Sequence, residues 1–188
     1  MSLLERPLPA RTAVLVIDVQ EKLAPAMSAP ALANVVRAAT ILVAAARETG
    51  AHVLATEQYP QGLGETLPEI GALLRGAGVT AVPKTTFSAL GEPTFLHALR
   101  KVHVRDVVVL GMETHICVFQ TVRDLLALGY RVHVPFDGVA SRRDDHRDVG
   151  LSLCERAGAS VTTAETVAFD WLRRAGTDAF KSVSRLVR

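Results

Sequence analysis

Short apolar runs alternate with amphipathic stretches along almost the whole chain. Six runs have the length and residue types of strands: Thr12–Asp18, Ala51–Thr56, Val79–Lys84, Arg105–Gly111, Arg131–Pro135 and Ala159–Thr163. Most are apolar at consecutive positions, as expected when both faces of a parallel sheet are covered. Between them, apolar residues recur at helical spacing. The clearest helix runs from about Ala31 to Thr49, with Leu32, Val35, Val36, Ala39, Leu42, Val43 and Ala46 on one repeating face. Ser28 can cap it, Pro30 suits its first turn, and Gly50 follows its end. Shorter helices fit Thr66–Arg75, Pro93–Arg100, His115–Leu128, Asp144–Ala157 and Ala164–Arg173.

This order is a βα repeat. It predicts an α/β, three-layer αβα fold around a six-stranded, mostly parallel, Rossmann-like sheet, with right-handed crossovers placing helices on both faces. No linker or low-complexity segment interrupts it, and Pro60 to Pro68 reads as a Gly-rich loop. Residues 1–188 are therefore one domain, with a core of about 12–168 and a C-terminal tail of 169–188. The tail carries Phe169, Trp171, Leu172, Phe180, Val183, Leu186 and Val187 after the last expected strand. Apolar surface left over there predicts a homo-oligomer, a dimer or larger, through the tail; the alternative is that the tail covers its own sheet edge.

Composition narrows the function classes. The formal net charge is +2 and no Lys/Arg block stands out. Neither nucleic acid nor an anionic membrane is expected as a partner, which leaves a small-molecule substrate. No uninterrupted apolar run approaches a membrane span. The N-terminus lacks a basic segment followed by a long apolar stretch, so no signal peptide is expected and a cytoplasmic location is. The two cysteines, Cys117 and Cys154, are far apart and fit no metal-ligand spacing.

In such a fold, ligands bind beyond the carboxyl ends of the strands. Three reactive residues fall there: Asp18 ends the first strand, Lys84 ends the third, and Cys117 follows the fourth. Each has an ordinary alternative. An Asp can cap a loop, a Lys is usually exposed, and a free Cys commonly packs as a small hydrophobe. An acid, a cation and a thiol at three strand ends of one sheet form a sharper pattern. Cys117 is expected in the first turn of a helix, where the dipole, unpaired backbone N–H groups and Lys84 would lower the thiol pKa. Cys154 lies within the helical pattern of Leu151, Leu153 and Ala157, where core packing is expected. His115, two residues before the thiol, either faces the site or shields the helix end. Gly76-Ala77-Gly78 precedes a strand instead of following one, so it is no dinucleotide loop.

These residues resemble the isochorismatase-like cysteine hydrolases, a family that includes nicotinamidases, N-carbamoylsarcosine amidases and isochorismatase. The carriers are Val16-Ile17-Asp18-Val19-Gln20, Lys84-Thr85-Thr86-Phe87-Ser88-Ala89 and Gly111-Met112-Glu113-Thr114-His115-Ile116-Cys117-Val118, with Asp137-Gly138-Val139-Ala140-Ser141. Thr56-Glu57-Gln58-Tyr59-Pro60 looks most like the isochorismatase-domain-containing branch. The resemblance implies a catalytic triad of Asp18, Lys84 and Cys117. It implies a non-proline cis peptide at Met112-Glu113 and an oxyanion hole from the backbone N–H groups of Glu113 and Cys117. Gln20, Gln58, Tyr59, Phe87 and His115 would line the substrate pocket. Nicotinamidases place an Asp-x-His metal site near Glu57 to Tyr59; the histidine is missing here, so no metal and no cofactor are expected. The implied activity is hydrolysis of a small amide or related C–N bond through a Cys117 thioester. Vinyl-ether hydrolysis and a non-catalytic binding or scaffold role are the alternatives.

Overall fold

The computed structural model describes residues 5–188. Its strands and helices follow in the order β1 (Thr12–Ile17), α1 (Ala29–Thr49), β2 (His52–Gln58), α2 (Pro60–Leu63), α3 (Pro68–Gly76), β3 (Val82–Lys84), α4 (Pro93–Lys101), β4 (Asp106–Met112), α5 (Phe119–Ala127), β5 (Arg131–Pro135), β6 (Val139–Ala140), α6 (Asp144–Ala157), β7 (Ser160–Thr162), α7 (Ala164–Leu172) and α8 (Asp178–Ser184). The sheet runs β3-β2-β1-β4-β5-β7, with β6 paired to the end of β4. Every strand pairing is parallel.

Seven strands form where six were expected. The addition is β6, two residues long and too short to show any periodicity. It matters because Met112 pairs with Ala140, which brings the chain after Ala140 alongside Glu113. Two strand boundaries move by two residues or more, the others by one at most. β3 begins at Val82 instead of Val79, and β2 continues to Gln58 because its last residues pair with Val82–Lys84.

The three layers follow from alternation along buried strands. Val14, Val16, Val108 and Leu110 face a cluster built with α1, α3, α7 and α8. Leu15, Ile17, Val107 and Val109 face a second cluster built with α4, α5 and α6. β1 is buried at all six positions and β4 at all seven, so both strands are anchored from two sides. They form the rigid centre from which the reactive residues project.

α1 is capped by Ser28, whose side chain accepts from the Ala31 N–H, and closed by Gly50 at φ +81°. By length and composition it could cross a membrane. Here it lies along the sheet with Val35, Ala38, Ala39, Leu42, Ala45 and Ala46 buried, and α7 and α8 pack on it. The tail thus covers its own chain. Val183 is fully buried, Phe180, Leu186 and Val187 pack on the same cluster, and Arg37 Nη2 donates to the Val187 carbonyl. The leftover apolar surface expected to mark an interface is mostly used within the chain.

Candidate active site

Each reactive side chain is placed by a local device at a strand end. Asp18 adopts φ +52°, a left-handed conformation that Asp tolerates better than most residues. Its N–H bonds the Thr56 carbonyl at 3.1 Å. The chain therefore turns sharply off β1 with the carboxylate held at the sheet end. Gly111, at φ +123°, permits the matching approach of β4. A Cβ there would lie 2.0 Å from the Ile17 carbonyl oxygen, so only glycine lets the ends of β1 and β4 meet. The peptide Met112-Glu113 is cis. Beyond it, Thr114–Val118 forms one π-helical turn before α5. Gly150 of α6 presses on that turn; a Cβ on it would stand 2.8 Å from the His115 nitrogen.

These devices bring Asp18, Lys84 and Cys117 together, all buried. Lys84 Nζ lies 2.7 Å from Asp18 Oδ2. It donates to Gln58 Oε1 at 2.5 Å and to the carbonyls of Phe87 at 3.0 Å and Thr86 at 3.2 Å. Thr56 Oγ1 donates to Asp18 Oδ1 at 2.7 Å. Cys117 Sγ is 4.0 Å from Gln58 Oε1. Among the described residues Asp18 Oδ2 has no aligned hydrogen-bond donor, although the ammonium is close. The segment after Lys84 is tied down as well, since Ala89 N–H donates to Thr121 Oγ1 of α5 at 3.0 Å.

Burial governs the proton affinities here. Asp18 is raised above its ordinary value because desolvation outweighs the opposing attraction of Lys84 and the hydrogen bonds it receives. The Cys117 thiol is pushed up to about 12, first by burial and then by the neighbouring Asp18 charge, with Lys84 opposing. The expected lowering of the thiol pKa is therefore corrected: the thiol is neutral at rest. Cys154, in the core of α6, is also pushed up to about 12, by burial alone. Acidity does not distinguish the two cysteines; surroundings do.

Asp18 and Cys117 face a cavity of about 230 Å³, with Lys84 behind Asp18. Asp18, Gln58, Glu113, Cys117 and Arg142 supply its polar wall, and Leu23, Leu63, Phe87 and Ile116 its apolar wall. Of the five expected pocket residues, Gln58 and Phe87 line it. Gln20 does not: it is fully buried and brackets Gln58, its Oε1 accepting from the Gln58 N–H and its Nε2 donating to the carbonyls of Gln58 and Gly64. Tyr59 is outside too, 55% exposed at φ +38°, because β2 ends at Gln58 and the chain turns away. His115 is turned toward α6, with Nδ1 3.0 Å from Ser141 Oγ and its ring 4.7 Å from that of His146. Burial lowers its pKa, which keeps the ring neutral near pH 7. On a π-turn, a residue two before Cys117 points off the thiol's side.

Arg142 was missed. It lay in a mixed-charge stretch that reads as a solvated helix start, and only the pairing of β6 with β4 brings it to the cavity. The Glu113 side chain was likewise unassigned; its carboxylate accepts from Arg142 N–H at 2.9 Å and from Arg142 Nε at 3.1 Å. Glu57, in the loop where a metal would otherwise be sought, directs Oε1 to the N–H and Oγ1 of Thr66 at 2.7 and 2.6 Å. Among the described residues no group of three or more His, Cys, Asp and Glu side chains gathers at one point.

Similarity to known proteins agrees with this geometry. The isochorismatase domain model matches residues 12–166. Isochorismatase domain-containing protein 2A of Mus musculus is 33% identical over 186 residues, which cover 98% of this chain and 86% of that protein. Isochorismatase domain-containing protein 1 of Salmo salar is 33% identical over 188 residues, covering all of this chain and 65% of the longer relative. The solved structure of the MAR1 ribonuclease from Caenorhabditis elegans has a TM-score of 0.88 and 35% identity, over 97% of this chain and 92% of that one. The chain belongs to the isochorismatase-domain family.

Proposed function

We propose that this protein is a cysteine hydrolase that cleaves a small amide or related C–N bond without a metal. The observation that carries the reading is that Asp18 and Cys117 line one small cavity while Lys84 pairs with Asp18 behind it. In this mechanism Asp18, kept basic by burial, takes the Cys117 proton as the sulfur attacks the carbonyl carbon. Thiolate character therefore develops during attack and is not stored beforehand. The backbone N–H groups of Glu113 and Cys117 are assigned to the oxyanion. The C–N bond breaks, and Asp18 returns the proton to the leaving nitrogen. Water then gives its proton to Asp18 and its hydroxyl to the thioester; the acid is released, and Asp18 passes that proton to the departing sulfur, which restores both the thiol and the carboxylate. Lys84, held by four oxygens, keeps the carboxylate in place throughout.

The relative called a ribonuclease raises nucleic acid as a substrate. Strand binding rests on several cations along a phosphate backbone. Here the net charge is +2, and the cavity presents one exposed cation, Arg142. The small-amide reading is therefore preferred. A screen of small amides and ureides, with an RNA substrate in parallel, tests it by intact-protein mass spectrometry. An acyl adduct on Cys117 is the expected result. RNA cleavage that survives Cys117→Ala with no adduct from any amide overturns it.

A further inference from the structure

Arg142 stands at the cavity with most of its donors unspent. Glu113 is 5% exposed, and its carboxylate grips Arg142 twice. Oε2 accepts the backbone N–H at 2.9 Å, and Oε1 and Oε2 share Nε at 3.1 Å each. Arginine has five side-chain N–H bonds, so four remain on Nη1 and Nη2. Among the described residues none of these four has a partner, and the side chain is 59% exposed. The guanidinium is thus anchored along one edge while the opposite edge is free. Its placement does not depend on a flexible loop, because Arg142 follows β6, which is hydrogen-bonded to β4 at Met112.

We infer that Arg142 is a specificity-determining residue that binds a carboxylate on the substrate, so that the protein's substrate class is a small amide bearing a carboxylate. A planar fork held along its Nε edge matches a carboxylate with two parallel hydrogen bonds. Lys84, the other cation nearby, does not line the cavity; its side chain is fully buried against Asp18 and offers the ligand nothing. Leu23, Leu63, Phe87 and Ile116 suit a short apolar body joining the carboxylate to the scissile bond. Glu113 compensates part of the Arg142 charge. Recognition then depends on the direction of the fork more than on net potential. This assignment rests on the hydrolase reading above.

Two alkylating reagents of nearly one shape test it without a known substrate. Iodoacetate carries a carboxylate where iodoacetamide carries a neutral amide. Each forms an S–C bond at Cys117 as its C–I bond breaks; the thiol proton is lost to solvent in forming the attacking thiolate, and iodide leaves. The rate ratio, iodoacetate over iodoacetamide, is measured at Cys117 by peptide mapping and compared with that of a small free thiol at the same pH. The expected ratio at Cys117 is roughly tenfold above the free thiol's, as one charge-assisted bidentate contact allows. It should fall to the free-thiol value in Arg142→Gln. Because that change leaves Glu113 buried without its partner, the double variant Glu113→Gln/Arg142→Gln is measured too, with the same expectation. A wild-type ratio no higher than the free thiol's, or an elevated ratio that persists in both variants, overturns the carboxylate assignment alone. Labelling of Cys117 by neither reagent in folded protein removes the nucleophile and this inference with it.

Discussion

Two buried carboxylates stand at opposite ends of the same parallel sheet, and they behave in opposite ways. Asp18 follows β1 at the carboxyl end; Asp106 opens β4 at the amino end. Both face a cation. Asp106 receives aligned hydrogen bonds from Arg131 Nε and Nη2 at 2.6 and 2.8 Å, with His133 Nε2 at 3.1 Å. Burial pushes its pKa up, but the bonds from His133 and Arg131 outweigh burial and hold it below the usual carboxylate range. At Asp18 the balance reverses and the pKa is raised. Asp18 is fully buried, and there desolvation outweighs the Lys84 ammonium at 2.7 Å and the Thr56 hydrogen bond at 2.7 Å. Proximity of a cation does not decide a carboxylate's proton affinity; the balance of hydrogen bonds against desolvation does. One end of the sheet uses its carboxylate for stability, and the other leaves its carboxylate able to take a proton.

Exchanging amide for acid at each end should separate the two roles most sharply. Asp18→Asn is expected to lower turnover by ~10²–10⁴-fold, the usual general acid–base contribution, once the screen has found a substrate. Turnover within a few-fold of wild type in a folded variant removes Asp18 from the mechanism. Asp106→Asn is expected to leave turnover nearly unchanged.

The raised thiol pKa gives the next effect. Cys117 alkylation by iodoacetamide should climb about tenfold per pH unit from neutral pH to pH 10, following the thiolate fraction. A plateau below pH 8 would show a thiolate already present at rest. Cys154 should react more slowly throughout, since it is fully buried among core residues while Cys117 lines the cavity.

At the amino end, Asp106→Asn should cost ~2 kcal/mol in urea unfolding, because it removes the charged hydrogen bonds of a half-buried Arg131, which among the described residues keeps only Glu5 as an ion-pair partner. Asp106 has a lowered folded pKa. Its contribution is therefore complete above the unfolded carboxylate range and is lost as pH falls through the lowered folded value. Wild type should lose stability in strong acid, and the variant should lose less over that window. Parallel acid profiles for the two proteins would refute the assignment.

Smaller effects test the periphery. Truncation after Ala175 removes Val183 from the core beside α1, and should cost ~2 kcal/mol. It should leave the oligomeric state seen by light scattering unchanged, since the tail is used within the chain; a shift to monomer would restore the tail as an interface. Dialysis against a strong chelator should not alter turnover, and a loss restored by zinc would contradict metal independence.

The βα alternation, the strand ends carrying Asp18, Lys84 and Cys117, and α1 with its Ser28 cap were legible in the chain. Strands buried on both faces and a capped amphipathic helix are local patterns, and a parallel sheet sends its strand ends to one side. Gly111 and Gly150 were visible only as letters; their need for closeness to Ile17 and His115 exists only once β1, β4 and α6 are packed. The pocket wall was least legible. Gln20, Tyr59 and His115 carry suitable chemistry near the right motifs, yet a strand end, a left-handed turn and a π-turn direct them elsewhere. Arg142 sits 25 positions beyond Cys117, and a two-residue strand delivers it. Residue order sets local conformation and which strand ends can meet. Side-chain direction, desolvation and the proton affinities that follow are set by contacts between distant segments, so they arise only in the packed molecule.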